Sequence, residues 1–154
     1  MTIKKVLVLC EGNICRSPMA EALLKEELSS EGIAVESAGL GALVGHPADD
    51  EARKIFESQN LPSLDGHSAR QLTEEIAHSA DLIFVMTSRQ KEETESRFPA
   101  TRGRVFLIGH WLPKERQEIS DPYQRGASAF QTAFGQIRDA VTSWNEKISS
   151  KGSP

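Results

Sequence analysis

Residues 6–18 read VLVLCEGNICRSP and place a cysteine where an apolar run gives way to a helical pattern. The apolar run predicts a buried strand, and the residues after Pro18 have the spacing of an amphipathic helix. A loop between a strand end and a helix N-terminus directs backbone N–H groups at a bound anion. Arg16, six residues after Cys10, adds a planar guanidinium that holds two anion oxygens. The same positive field favours the Cys10 thiolate, so this stretch predicts phosphoryl transfer through cysteine.

The other residues of the loop support this interpretation over a chance spacing of cysteine and arginine. Gly12 permits a positive φ, and Asn13 tolerates the left-handed region. Ser17 is predicted to cap the helix, and Pro18 suits the first helical position. The alternative is a cysteine that only packs at the end of a buried strand, which requires none of these residues together.

The composition predicts one soluble globular domain over 1–149 and a flexible tail over 150–154. The chain has 154 residues, 38% of them hydrophobic, and a net charge of −4, which argues against nucleic-acid binding. No apolar run has the length of a membrane span or the features of a leader, so we expect a cytoplasmic monomer without membrane insertion. Both cysteines lie in the loop and no Cys/His set has zinc spacing, so we expect no metal and no cofactor.

Short apolar runs alternate with amphipathic stretches, which predicts an α/β fold. We expect a four-stranded parallel sheet in the order 2-1-3-4 with helices on both faces. The strand candidates lie near 4–9, 33–37, 81–86 and 104–108. Helices are predicted near 17–30, 48–60 and 128–149, and after the caps Thr73 and Thr87.

The last predicted helix carries an apolar stripe at spacings of three, four and seven residues. The stripe consists of Phe130, Phe134, Ile137, Val141, Trp144 and Ile148. Core packing explains the stripe better than a partner surface does, because any docked helix needs one.

Cys10 and Asp121 are predicted to lie at the same edge of the sheet. Ligands of doubly wound sheets bind beyond the carboxyl ends of the strands, where Cys10 ends the first strand. Asp121 follows the last strand by a long loop that can fold back over this edge. Without the cysteine loop, Asp121-Pro122 would be interpreted as an ordinary turn.

The loop at residues 10–18 resembles the active-site loop of the low-molecular-weight protein tyrosine phosphatases. Three further segments fall where that family has its own: ESAGLG at 36–41, HSARQL at 67–72 and DPY at 121–123. The resemblance covers nearly the whole chain. It implies hydrolysis of protein phosphotyrosine through a cysteinyl-phosphate intermediate.

The resemblance also implies roles for individual residues. Cys10 would attack phosphorus, Arg16 would bind the phosphate, and Asp121 would protonate the leaving phenolate and then activate water. Ser17 would donate its hydroxyl to Cys10, or act only as a helix cap. The residues implied in phosphate binding are Glu11, Gly12, Asn13, Ile14, Cys15, Arg16 and Ser17.

Residues around the loop are implied in support and in substrate contact. In the family, the loop asparagine is tied to a serine and a histidine, which here are Asn13, Ser37 and His67. Such a network would hold an unfavourable left-handed residue in place. The predicted cleft walls are Tyr123 on one side and Leu40 and Leu43 on the other.

Two loop residues leave questions open. The family cysteine that matches Cys15 forms a protective disulfide with the nucleophile, which implies a redox role; the alternative is a small apolar filler. Glu11 stands where relatives usually have an apolar residue. Our hypothesis is that its carboxylate favours phosphotyrosines with Lys or Arg neighbours.

GALVG at 41–45 and LIGHW at 107–111 resemble, more narrowly, the bacterial branch that acts on exopolysaccharide tyrosine autokinases. That resemblance implies, as partner, the tyrosine-rich cytoplasmic tail of a membrane-anchored autokinase.

Some arsenate reductases share this loop and relay a disulfide to thioredoxin, which requires further cysteines later in the chain. Residues 73–100 contain none, which argues against that function. A phosphate-binding module without turnover would need neither Cys10 nor Asp121.

Overall fold

The computed structural model describes residues 2–152, with side chains described as far as Ile148. One four-stranded, all-parallel sheet in the order β2-β1-β3-β4 forms the centre, which confirms the predicted topology. The strands are β1 (Lys5–Cys10), β2 (Ala34–Gly39), β3 (Leu82–Val85) and β4 (Val105–Leu107). Their bounds agree with the prediction to within about two residues.

Within residues 2–152, five α-helices connect and cover the strands. They are α1 (Arg16–Leu28), α2 (Asp50–Ser58), α3 (Glu74–Ser79), α4 (Ser88–Arg97) and α5 (Ala127–Gly152). The predicted caps are confirmed, because the hydroxyl oxygens of Thr73 and Thr87 accept the N–H groups of Ile76 and Gln90, each at 3.2 Å. Each cap satisfies a donor that the first turn of a helix leaves unpaired.

Helix α5 packs on α1 and α2, and all six residues of its predicted apolar stripe are buried. The helix continues to Gly152, past the predicted end near Ser149. The tail predicted over 150–154 therefore overlaps the helix at 150–152, while 153–154 lie outside the described residues. Among the helices described, none has both the length and the apolar character needed to cross a membrane.

The central strand β1 determines where the cysteine lies. Side chains alternate between the two faces of a strand. Val6, Val8 and Cys10 accordingly belong to the core cluster that includes residues of α1 and α5, whereas Leu7 and Leu9 belong to the opposite cluster. Both faces of β1 are buried, and Cys10 is held at its carboxyl end, on the side of the sheet that α1 covers.

Candidate active site

The backbone carbonyls of the loop that follows β1 are bound by groups outside the loop. Three N–H groups from the segment 40–43 donate to the carbonyls of Cys10, Glu11 and Gly12, at 3.0, 3.0 and 3.1 Å. This segment follows β2, so the ends of two neighbouring strands are joined by these bonds. Close approach requires Gly39, where a Cβ would lie 2.7 Å from the Glu11 carbonyl oxygen.

The next three carbonyls also have hydrogen-bond partners. The Nε2–H of His67 donates to the carbonyl of Asn13 at 2.6 Å. The N–H of Asp49 donates to the carbonyl of Ile14 at 2.8 Å. A backbone N–H in the first turn of α1 donates to the carbonyl of Cys15. Every carbonyl from residue 10 to residue 15 therefore has a partner.

This pattern fixes the direction of the loop N–H groups. In a planar trans peptide the N–H points opposite to the preceding C=O. Since the carbonyls of residues 10–15 are bound outward, the N–H groups of residues 11–16 point the other way. Within the described part of the chain, none of them donates to a protein acceptor. They form a ready site for an oxyanion.

Asn13 holds the loop in this shape. It is fully buried and has a φ of +60°, which confirms the left-handed conformation expected of it, whereas Gly12 does not have a positive φ. The Asn13 Nδ2 donates to the hydroxyls of Ser17 and Ser37 at 2.8 and 3.0 Å, and its Oδ1 accepts the N–H of Arg70 at 2.9 Å. These bonds offset the cost of the left-handed backbone.

The helix begins two residues earlier than the cap prediction requires. Helix α1 starts at Arg16, and Cys15 occupies the cap position without a side-chain hydrogen bond. The prediction of Ser17 as the cap is therefore wrong. Pro18 stands third in the helix rather than first, where its missing N–H still costs nothing because the first four N–H groups lack helical partners.

The predicted contact between Ser17 and the cysteine is present. Ser17 Oγ lies 2.9 Å from Cys10 Sγ, and both side chains are buried. Asn13 donates to the same Ser17 oxygen, so the Ser17 hydroxyl hydrogen is available for the sulfur. A hydrogen bond to the sulfur favours its thiolate form.

One nitrogen of the Arg16 guanidinium is held by a hydrogen bond to the protein, and the edge formed by the other two is left for a ligand. Its Nη1 donates to the carbonyl of Ile119 at 2.7 Å, and Ile119 is itself bound to Met86 at the end of β3. The Nη2 lies 3.7 Å from Oδ2 of Asp121. The Nε is buried without a hydrogen-bond partner. Nε and Nη2 together present the edge of a guanidinium that binds two phosphate oxygens side by side.

A cavity of about 200 Å³ opens over Cys10. Its lining residues are Cys10, Glu11, Gly12, Ile14, Cys15, Arg16, Gly41, Leu43, Asp121 and Tyr123. A larger groove of about 1020 Å³ lies beside α1 and β2, but neither Cys10 nor Arg16 lines it. The smaller cavity therefore contains the reactive groups.

Of the three residues predicted as cleft walls, two line the cavity and one is buried in the core, so the prediction for Leu40 is wrong. Leu43 and Tyr123 line the cavity. Leu40 is 1% exposed and packs in the core cluster that includes Leu7 and Leu9. The segment after β2 turns between Leu40 and Leu43, so the first leucine enters the core and the second faces the cavity.

Asp121 also lines the cavity. Its side chain is 49% exposed, and its Oδ1 accepts the N–H of Tyr123 at 3.1 Å. The three residues predicted as catalytic, Cys10, Arg16 and Asp121, thus line one cavity. The arrangement joins a thiol, an anion cradle and a carboxyl group.

Cys15 differs from Cys10 in its surroundings. Burial raises the pKa of the Cys15 thiol well above its ordinary range, and the negative charges of Asp49, Cys10 and Asp121 add to the rise. Arg16 opposes the shift. Both cysteines are free thiols, and the redox role of Cys15 stays a prediction.

Two residues that support the loop were missed at the sequence level. Glu21 accepts the hydroxyl of Ser37, and Arg70 donates its Nε to the Ser37 carbonyl at 2.8 Å as well as its N–H to Asn13. A signal for Glu21 exists, because it follows Ser17 by four residues and so shares its face of α1.

Comparison with known proteins agrees with this geometry. The model of the family described as low molecular weight phosphotyrosine protein phosphatase matches residues 5–153. A probable low molecular weight protein-tyrosine-phosphatase, EpsP of Ralstonia nicotianae, is 44% identical over 150 residues, covering 97% of this chain and 99% of that protein.

Solved structures show the same fold. The tyrosine phosphatase Wzb from Escherichia coli K30 in complex with sulphate superposes with a TM-score of 0.89 at 38% identity, covering 96% of this chain and 99% of that one. The YwlE arginine phosphatase from Geobacillus stearothermophilus gives a TM-score of 0.88 at 28% identity, covering 96% and 94%.

Proposed function

This chain belongs to the low molecular weight phosphotyrosine protein phosphatase family, and we propose that Cys10, Arg16 and Asp121 carry its reaction. The chain is a cysteine-dependent protein tyrosine phosphatase. The observation that supports our assignment most directly is the outward bonding of every carbonyl from residue 10 to residue 15. That bonding leaves the N–H groups around Cys10 for a phosphate.

In the first step the Cys10 thiolate attacks the phosphorus of phosphotyrosine. An S–P bond forms as the P–O bond to the phenol breaks, and Asp121 transfers its proton to the departing oxygen. The loop N–H groups and the Nε and Nη2 of Arg16 bind the three equatorial oxygens as charge shifts onto them. Ser17 donates its hydroxyl to the sulfur.

In the second step water cleaves the cysteinyl phosphate. The Asp121 carboxylate accepts a proton from the attacking water, the P–O bond forms, and the S–P bond breaks. Inorganic phosphate leaves and Cys10 returns to the thiolate. Asp121 ends the cycle protonated, as it began.

The walls of the cavity favour an aromatic substrate over a guanidinium. Ile14, Leu43 and Tyr123 line the cavity above the phosphate site, and apolar and aromatic walls suit a phenyl ring. The likeness to an arginine phosphatase is lower in identity than that to the tyrosine phosphatase Wzb. Phosphoarginine is therefore the informative comparison substrate.

The test compares a phosphotyrosyl peptide with a phosphoarginyl peptide of the same sequence, using released phosphate as the readout. We expect kcat/KM to be at least about 100-fold higher for phosphotyrosine, and Cys10→Ser to lose turnover of both while still binding phosphate. A faster reaction on phosphoarginine would reassign the substrate. A Cys10→Ser protein as active as wild type would exclude the cysteine mechanism.

We further propose that the physiological partner is the tyrosine-rich tail of a membrane-anchored autokinase that controls exopolysaccharide export, and that the enzyme acts in the cytoplasm. The segments 41–45 and 107–111 and the relatives EpsP and Wzb support this. Cys10→Ser protein immobilised in cell extract should retain that kinase in its phosphorylated form, and orthovanadate should release it. Retention of other phosphoproteins alone would contradict the proposal.

A further inference from the structure

We propose that Glu11 selects substrates, favouring a phosphotyrosine with Lys or Arg beside it in the sequence over one flanked by carboxylates or by a second phosphate. The inference rests on the proposed function, since it concerns the protein chain that carries the phosphotyrosine. It assigns two separate tasks to one residue. The backbone N–H of Glu11 belongs to the anion cradle, whereas its side chain lies at the mouth of the cavity.

The position of the Glu11 carboxylate follows from its contact with the segment after β2. Glu11 is exposed and lines the cavity. A Cβ built on Gly41 would lie 2.6 Å from Glu11 Oε2, so the carboxylate rests against the bare backbone of Gly41. The Gly41 N–H also donates to the Glu11 carbonyl at 3.0 Å. The carboxylate thus lies against the segment after β2 at Gly41.

The other charges of the cavity do not neutralise this carboxylate. Among the residues that line the cavity, Arg16 is the only cation, and it is 4% exposed with one nitrogen bound to Ile119. Its remaining edge faces the phosphate in the proposed mechanism. The other acidic residue of the lining, Asp121, supplies no positive charge either.

Because the cavity is small, the substrate residues next to the phosphotyrosine stay outside it, at the mouth where Glu11 lies. A cavity of about 200 Å³ accommodates an aryl phosphate and little more, so the adjoining residues of the substrate stay at the mouth. A basic side chain there lies beside Glu11 with favourable charge, and an acidic one is repelled. Because the site is open to water, basic and acidic neighbours together change kcat/KM by a factor of only about 3 to 10.

The experiment uses two phosphotyrosyl peptides that differ only at the two residues adjoining the phosphotyrosine, Lys in one and Glu in the other. The readout is the ratio of their kcat/KM values at low salt, from which any common change in activity cancels. We expect wild type to favour the Lys peptide by roughly 3- to 10-fold. Glu11→Gln should bring the ratio close to one, and Glu11→Lys should invert it.

Glu92→Gln is the matched control, because it removes the same charge from an exposed position on α4 outside the cavity. This variant should keep the wild-type ratio. The wild-type preference should also fall as salt rises to about 1 M, where screening shortens to roughly 3 Å. Equal ratios for wild type and Glu11→Gln would overturn the inference while both peptides are still hydrolysed. Failure to hydrolyse either peptide would instead overturn the proposed function.

Discussion

The phosphate loop at 10–18 and the acid segment at 121–125 face each other across one cavity but are held in different ways. In the loop, Asn13 and Ser17 are completely buried, and partners distant in sequence bind its carbonyls and side chains. In the acid segment, Asp121 is 49% exposed. Its internal hydrogen bonds, Tyr123 N–H to Asp121 and Arg125 N–H to Pro122, span two or three residues.

This difference matches the tasks proposed for the two regions. Stabilising a transition state requires donors already fixed at the positions where charge develops. A proton donor needs contact with the leaving oxygen only while the bond breaks, so a locally folded, exposed segment suffices. Segments with few long-range contacts open at lower free-energy cost than a buried loop.

The largest expected effect separates the two regions by function. Arg16→Lys should lower kcat/KM for a phosphotyrosyl peptide by roughly 10³-fold or more and weaken phosphate binding, because an ammonium lacks the two-nitrogen edge. Asp121→Asn should lower turnover by about 10²- to 10³-fold and leave phosphate binding nearly intact. Steady-state kinetics and titration with inorganic phosphate measure the two quantities.

A loss of phosphate binding in Asp121→Asn would break the comparison, because the acid would then belong to the binding site. Phosphate binding by Arg16→Lys as tight as that of wild type would show that the loop N–H groups alone hold the anion.

The next effect concerns stability. Asn13→Ala should lower the free energy of unfolding by roughly 3 kcal/mol, since it leaves the partners of two buried hydrogen bonds and one part-buried hydrogen bond unpaired and keeps a residue with a Cβ at positive φ. Asn13→Gly should cost about 1 kcal/mol less, because glycine adopts this φ without strain. Urea unfolding at neutral pH measures both variants.

Gln124 is the matched position in the acid segment, with a φ of +59° and an exposed side chain. Gln124→Gly should change the free energy of unfolding by less than about 1 kcal/mol. A loss as large as that of Asn13→Gly would show that the acid segment is as tightly built as the loop.

The smallest effect concerns the buried thiol of the loop and appears only at alkaline pH. The folded chain keeps Cys15 protonated at a pH where the unfolded chain releases the proton, because burial raises the pKa of that thiol. The unfolded state then binds fewer protons, so stability falls as pH rises above about 8.5. The loss attributable to Cys15 should approach about 1.4 kcal/mol per pH unit.

Urea unfolding of wild type and Cys15→Ala at pH 7, 9 and 10 provides the measurement. Cys15→Ala should be the less stable protein at pH 7, because it loses packing, and the difference between the two should narrow as pH rises. A difference that is constant with pH would contradict a raised pKa of Cys15.

The residues that sequence patterns could identify are those whose role depends on near neighbours in the chain. The apolar run placed Val6 and Val8 in the core, and the helical spacing placed the α5 stripe there. The caps Thr73 and Thr87 act within their own first turns. Leu40 shows the limit. Its chemistry suits a cleft wall as well as that of Leu43 does, and only the turn after β2 separates them.

The sequence by itself determined the reactive side chains: a cysteine at the end of a buried strand, an arginine six residues on, and an aspartate before a proline. Tertiary structure decided their geometry. Ser17 is not a helix cap because α1 begins at Arg16. It is a donor to the cysteine because Asn13, fixed from β2 and from Arg70, donates to its oxygen. The loop N–H groups converge because segments far along the chain bind the opposite carbonyls. Because each peptide is planar, a hydrogen bond that holds a carbonyl on the outer side of the loop directs the next N–H at the phosphate site. No local sequence pattern specifies those distant hydrogen bonds.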